Sequence, residues 1–157
     1  MVNIKVGDSN HYGTIAEILN KVFGIPVKQY RKGYYQFSSG KRAVFFHLAE
    51  RGKNGGWKPP NKNYNWLNIP DSNKKAFTQI ELNKDPEFFK EAFTKGKVAA
   101  KEQAVFMGMK DPQTGKSRYF FYGVFTAQLL NTANRICIYT RRSAVLKPAG
   151  WLGTMSQ

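Results

Sequence analysis

Cysteine is almost absent from this chain, and the scarcity removes whole classes of explanation. The single thiol, Cys137, permits neither an internal disulfide framework nor a multi-cysteine metal site. Its apolar neighbours, Ile136 and Ile138, read as a buried and inert position. Histidine is nearly as scarce, with His11 and His47 alone. Acidic residues number ten, and none has a lysine two positions later, a pairing found in many Mg²⁺-dependent nucleases. A hard divalent cation wants clustered oxygen ligands. A two-metal nuclease centre is therefore not expected, and neither is any other metal or cofactor. The glycine-rich stretch Gly52-Lys53-Asn54-Gly55-Gly56 lacks the spacing and the following helix of a phosphate-cradling loop. No segment approaches the ~18 continuous apolar residues of a membrane span, and the start lacks a signal-peptide pattern. These absences place the expectation in a reducing cytoplasm.

What is abundant is positive charge on an aromatic-rich body. Lys and Arg number 25, the formal net charge is +15, and aromatics make up 15% of 157 residues. That length suits one compact domain, residues 1–157, with a core that needs no disulfides. A body so charged repels itself, and a polyanion is the natural compensation. The excess is also uneven. Residues 31–66 hold eight bases and only Glu50, whereas residues 67–94 hold four bases and five acids. Residues 135–157 carry four bases and no acid. Two basic blocks around a nearly neutral stretch point to a binding face rather than to a generic solubilising surface. A peripheral membrane protein would need a basic amphipathic helix, and none is legible.

The element pattern predicts an α+β fold: a mostly antiparallel sheet, open or closed as a barrel, with two short helices packed on it. The first helix is expected over residues 14–23, with Thr14 and Glu17 as a capping box and Gly24 before Pro26 as its stop. The second is expected from Asp85-Pro86-Glu87, with Phe88, Phe89, Ala92 and Phe93 as its apolar side. Strands are expected over residues 2–6, 34–37, 42–48, 77–82, 104–109, 118–130 and 135–141. Residues 52–70 read as a long loop, and loops beyond about 12–15 residues are usually functional or disordered. Residues 97–103 are ambiguous.

The basic blocks carry the candidate binding residues. In the first, Arg31, Lys32, Lys41, Arg42, Arg51, Lys53, Lys58 and Lys62 alternate with aromatics that include Tyr35, Trp57, Tyr64 and Trp66. Cations supply phosphate contacts and counterion release, and interleaved aromatics can stack on bases. Asn54, Asn61, Asn63, Asn65 and Asn68 add amides able to read base edges. Arg118, Arg135, Arg141 and Arg142, with Lys116 and Lys147, form the second block. The acids Glu81, Asp85, Glu87 and Glu91 should lie away from a phosphate-binding face. The reading is a DNA-binding module of the kind that fits a bacterial or viral restriction, defence or regulatory system. RNA binding is the nearest alternative. A small metal-independent nuclease or toxin acting on RNA is the other, with His47, Glu50 and Arg51, or His11 and Glu17, as its acid–base groups.

Overall fold

In a computed structural model, which describes residues 2–82, 102–131 and 136–152, the first expected helix forms as α1 (Ile15–Phe23). Thr14 is its N-cap, accepting the Glu17 N–H at 3.1 Å. Glu17 reaches one residue further back than a capping box does, taking the Gly13 N–H at 3.0 Å. Gly24 closes the helix in the left-handed region at φ 69°, and the Ile25 N–H reaches back to the Leu19 carbonyl at 2.8 Å. The periodic apolar positions Ile18, Leu19, Val22 and Phe23 are all buried.

Among the described residues every other regular element is strand, apart from one 3-10 turn at Pro148–Gly150. The early strands are β1 (Ile4–Lys5), β2 (His11–Tyr12), β3 (Tyr34–Gln36), β4 (Arg42–His47), β5 (Glu50–Arg51) and β6 (Trp57–Lys58). They are followed by β7 (Trp66–Pro70), β8 (Ala76–Glu81), β9 (Gln103–Lys110), β10 (Ser117–Asn131), β11 (Ile136–Ser143) and β12 (Val145–Leu146). The chain divides into two compact units. One comprises Met1–Phe46, Glu102–Val124 and Arg142–Gln157, and the other His47–Lys101 and Phe125–Arg141.

In the first unit the strand order is β3-β4-β9-β10, with β2 added antiparallel at the start of β10 and β1 paired with β12. Helix α1 buries its apolar face in an aromatic cluster. Phe23 lies 4.8 Å from Phe37 and 6.2 Å from Phe106, and Phe106 lies 5.6 Å from Phe121. Trp151 meets Phe37 edge-on. Tilted and edge-to-face rings suit the quadrupole of the aromatic face.

In the second unit the order is β10-β11-β8-β7, antiparallel where β11 meets β8 and where β8 meets β7. Phe77 packs 5.1 Å from Phe125 and stacks on Tyr139 at 4.6 Å. β5 and β6 form a separate small hairpin.

Three expectations change. The main strand path has two ends, β3 and β7, so the sheet is not a closed barrel. Pro70 sits on the terminal strand β7, where the missing N–H breaks no ladder. One α-helix is present among the described residues; the expected second helix at residues 85–93 lies outside them, as does most of the ambiguous 97–103 segment. Finally, the supposed 52–70 loop contains β6 and β7, because its tryptophans each begin a strand. No helix among the described residues is long and apolar enough to cross a membrane.

Candidate nucleic-acid interface

The β5–β6 hairpin of the second unit carries Arg51, Lys53 and Lys58 against the single acid Glu50. Arg51 and Trp57 stand opposite each other in the register, and the guanidinium lies 3.9 Å from the indole centroid. Arg51 Nη1 also donates to the Gly55 carbonyl at 2.7 Å, which ties the arginine to its own turn. Gly55, at φ 79°, gives the tip a conformation that an L side chain would strain. Arg51 therefore braces the hairpin while remaining exposed, and Lys53 and Lys58 are exposed too. Lys58 faces Glu50 across the register. Just beyond, Asn61 Oδ1 accepts the Asn63 N–H at 2.9 Å, and exposed Lys62 rides on that turn.

Tyr64 is half-buried and stacks flat on His47, with ring centroids 4.2 Å apart and planes 8° from parallel. The two residues are seventeen positions apart, and no local pattern in the sequence joins them. Burial pushes the His47 imidazole below its ordinary range, so the ring is neutral at pH 7. Trp66, also half-buried, opens β7 opposite buried Glu81. Glu81 is thus an interior acid rather than a surface one; Asp85, Glu87 and Glu91 fall outside the described residues.

Asn68 departs from its expected role as a reader of base edges. It is only 2% exposed, and both ends of its amide are engaged. Its Nδ2 donates to the His47 carbonyl at 3.0 Å, and its Oδ1 accepts from Gln79 Nε2 at 2.8 Å. Gln79 Oε1 in turn accepts the Cys137 thiol at 3.7 Å. The register places Asn68, Gln79 and Cys137 side by side on three strands. Cys137 is fully buried, as its apolar neighbours imply.

In the first unit the candidates fall in different environments. Arg31 and Lys32 are exposed ahead of β3, and Arg31 reaches Gln29 at 3.5 Å. Tyr35 packs on the aromatic cluster, 5.0 Å from Phe37 and 5.7 Å from Tyr30. Arg42 is buried, bonded through Nε to Gln36 Oε1 and lying 4.4 Å over the Tyr34 ring. Lys41, on the turn between β3 and β4, pairs with Glu102 at 3.3 Å and sits over the Trp151 indole. Arg118, half-buried near Gly13, is one of the charges that hold the Glu17 carboxyl below its ordinary range. The Lys21 ammonium hydrogen-bonded to Glu17 is the largest cause, followed by the Gly13 N–H. Arg142 is exposed near the end of β11. Arg141, in the second unit, is half-buried over the Phe125 ring at 5.7 Å. Arg135 lies outside the described residues.

These placements bear on the hydrolytic alternative. The His47 ring stacks on Tyr64, and the Arg51 guanidinium lies over Trp57. His11 is exposed, with its ring beside Phe120. Among the described residues no group of three His, Cys, Asp or Glu is arranged to hold a metal ion.

Residues 2–147 match the family model described as SRA, SET and RING associated domain. No curated protein matches the chain. Among solved structures the fold resembles the 5-hydroxymethylcytosine-specific restriction enzyme AbaSI, with a TM-score of 0.69 at 17% sequence identity. The likeness covers 92% of this chain but 42% of that one, so the chain spans less than half the length of the solved enzyme.

Proposed function

This chain belongs to the SET and RING associated (SRA) domain family, and we propose that it is a DNA-binding module that reads a modified cytosine within a restriction-like system. SRA domains bind DNA, and the match over residues 2–147 is the observation that carries the reading. The name of the solved enzyme with the same fold supplies the ligand class, a cytosine substituted at carbon 5. Such a substituent sits on the major-groove edge, where the thymine methyl is also read. The charge of +15 supplies the attraction to phosphate that any such reader needs before it can sample bases.

On this reading Lys53, Lys58 and Lys62 contact phosphates, and Trp57 and Tyr64 provide aromatic faces near them. Arg31, Lys32 and Arg142 extend the positive field. The whole chain acts as one nucleic-acid-binding domain, and cleavage, where the system has it, belongs to another part of the system. DNA is preferred to RNA because the groove that displays carbon 5 is wide in B-form DNA and inaccessible in an A-form helix.

The test is fluorescence anisotropy with three duplexes of one sequence carrying cytosine, 5-methylcytosine or 5-hydroxymethylcytosine. One of the modified duplexes should bind more tightly than the unmodified one, and affinity should fall steeply with salt. Equal affinity for all three would leave DNA binding and remove modified-base reading. An absence of binding at low salt would remove both.

A further inference from the structure

A second polar feature lies in the first unit. A cavity of about 290 Å³ is lined by Lys41, Glu102, Val124, Ser143, Val145, Lys147, Gly150 and Trp151. Two of its walls carry ammonium groups and one carries a carboxylate. The Lys41 Nζ is 3.3 Å from Glu102 Oε1 and 5.0 Å from the centroid of the Trp151 indole. The indole itself is 4% exposed, so it forms a fixed floor rather than a free stacking surface. Lys147 is exposed at the start of the 3-10 turn, and no acid pairs with it among the described residues.

The Lys41 backbone is held firmly. Its carbonyl accepts from the Phe37 N–H at 3.0 Å and from Gln36 Nε2 at 3.2 Å. The same turn is tied to the cavity floor, because Ser39 Oγ donates to the Trp151 carbonyl at 2.8 Å and Ser38 Oγ to the Leu152 carbonyl at 3.0 Å. The Arg42 N–H donates to the Glu102 carbonyl at 3.2 Å, which fixes the neighbouring strand in place. What is not fixed is the carboxylate. The Glu102 side chain is 43% exposed and makes the cavity's single acidic contact, an ion pair of the exposed, weak kind.

We propose that this cavity is a DNA-phosphate site, in which a backbone phosphate takes the place of the Glu102 carboxylate and is held between Lys41 and Lys147. In the free protein Glu102 stands in for the phosphate, keeping Lys41 over the indole and screening it from other anions. An incoming phosphodiester repels Glu102 into solvent and gains two ammonium groups, one of them already positioned by the turn. The site therefore counts as one phosphate contact in the salt dependence of binding, and Glu102 opposes it. The inference rests on the DNA-binding reading above and adds a site to it.

The experiment is a salt titration of binding to a modified-cytosine duplex by the wild-type chain, Glu102→Gln, Lys147→Ala, Lys41→Gln and the Glu102→Gln/Lys41→Gln double variant. Asp111→Asn, which removes an acid at the opposite end of β9 from Glu102, controls for the general field. Glu102→Gln should tighten binding by about two- to fivefold at low salt, and Asp111→Asn should do less, because the local pair outweighs the distant charge. Lys147→Ala should flatten the log–log salt slope by about 0.9, the share of one phosphate. With Lys41→Gln in place, Glu102→Gln should bring no gain, since the two act as a pair. Equal gains from Glu102→Gln and Asp111→Asn, or a full gain in the Lys41→Gln background, would overturn the site while leaving DNA binding intact. Tightened binding of inorganic phosphate by Glu102→Gln without any change on the duplex would make it a free-anion site and also overturn the proposal. A wild-type chain that binds no duplex at low salt would remove the underlying reading as well.

Discussion

The two units bury different chemistry. The first closes α1 over rings, with Phe23, Phe37, Phe106 and Phe121 meeting at tilted and edge-on angles, and its buried polar residues Arg42, Gln103 and Asp111 lie outside that cluster. The second buries Asn68, Gln79, Glu81 and Cys137 alongside its own stacked aromatics. Apolar packing is non-directional and tolerates small shifts. A chain of hydrogen bonds is directional, so it specifies register at the expense of tolerance. The difference teaches where precision is spent. The Asn68–His47 bond fixes the backbone of the residue whose ring stacks on Tyr64, in the unit that also carries the lysine-rich turn.

The sharpest way to break this comparison is to open each interior in turn. Phe106→Ala should cost about 3–5 kcal/mol of stability in denaturant titration, as large aromatic-to-alanine changes in tight cores do. Its salt slope on DNA should stay unchanged wherever the chain remains folded. A smaller cost would mean that the aromatic cluster of the first unit is loosely packed.

Asn68→Ala should cost less, about 1–3 kcal/mol, because it leaves the Gln79 amide buried without its acceptor. Asn68→Leu tests the same point from the other side, since an apolar replacement also strands Gln79. If either variant matches wild-type stability but loses discrimination between modified and unmodified duplexes, the ladder positions the reading residues rather than stabilising the unit.

Trp57→Ala separates bracing from stacking. Removing the indole frees Arg51 from its ring but leaves the Gly55 bond. If the exposed side of the indole meets a base, affinity should fall by about tenfold with little change in melting temperature. A lowered melting temperature with unchanged affinity would make Trp57 a brace for the hairpin and nothing more. Smaller again are Lys53→Ala, Lys58→Ala and Lys62→Ala. Each should flatten the salt slope by about 0.9 if it neutralises one phosphate, equally for every sequence.

The smallest effect is one of pH. Burial holds His47 below its ordinary value of 6.5, so the folded chain resists a proton that the unfolded chain accepts. The unfolded state then binds more protons as pH falls below 6.5, and stability declines with acidification in that window. Urea midpoints followed from neutral to mildly acidic pH should show this decline in the wild type and less of it in His47→Gln. An identical decline in both would place the titration elsewhere.

Local signals settled much of this molecule. Thr14, Glu17, Gly24 and Pro26 bound one helix, because capping and left-handed closure depend on residues within a turn of each other. Alternating apolar and aromatic runs located β4, β8, β9, β10 and β11 to within a few residues. The net charge named a polyanion as partner, since charge is additive along a chain and does not depend on how it folds.

Tertiary structure decided which of those charges are available and which aromatics are faces. Arg42 and Arg51 read alike as phosphate contacts in sequence, yet Arg42 is buried over Tyr34, whereas Arg51 stays exposed over Trp57 of its own hairpin. Trp57 and Trp66 read as loop residues, yet each begins a strand whose partner lies several to fifteen positions away. Asn68 looks like one more amide in an asparagine-rich stretch until β8 places Gln79 against it. Lys41 and Glu102 are sixty-one positions apart, and only the pairing of β4 with β9 brings the ammonium to the carboxylate. Composition and local pattern fix what a residue can do; cross-strand register, which is set by contacts far apart in the chain, fixes what each of these residues faces.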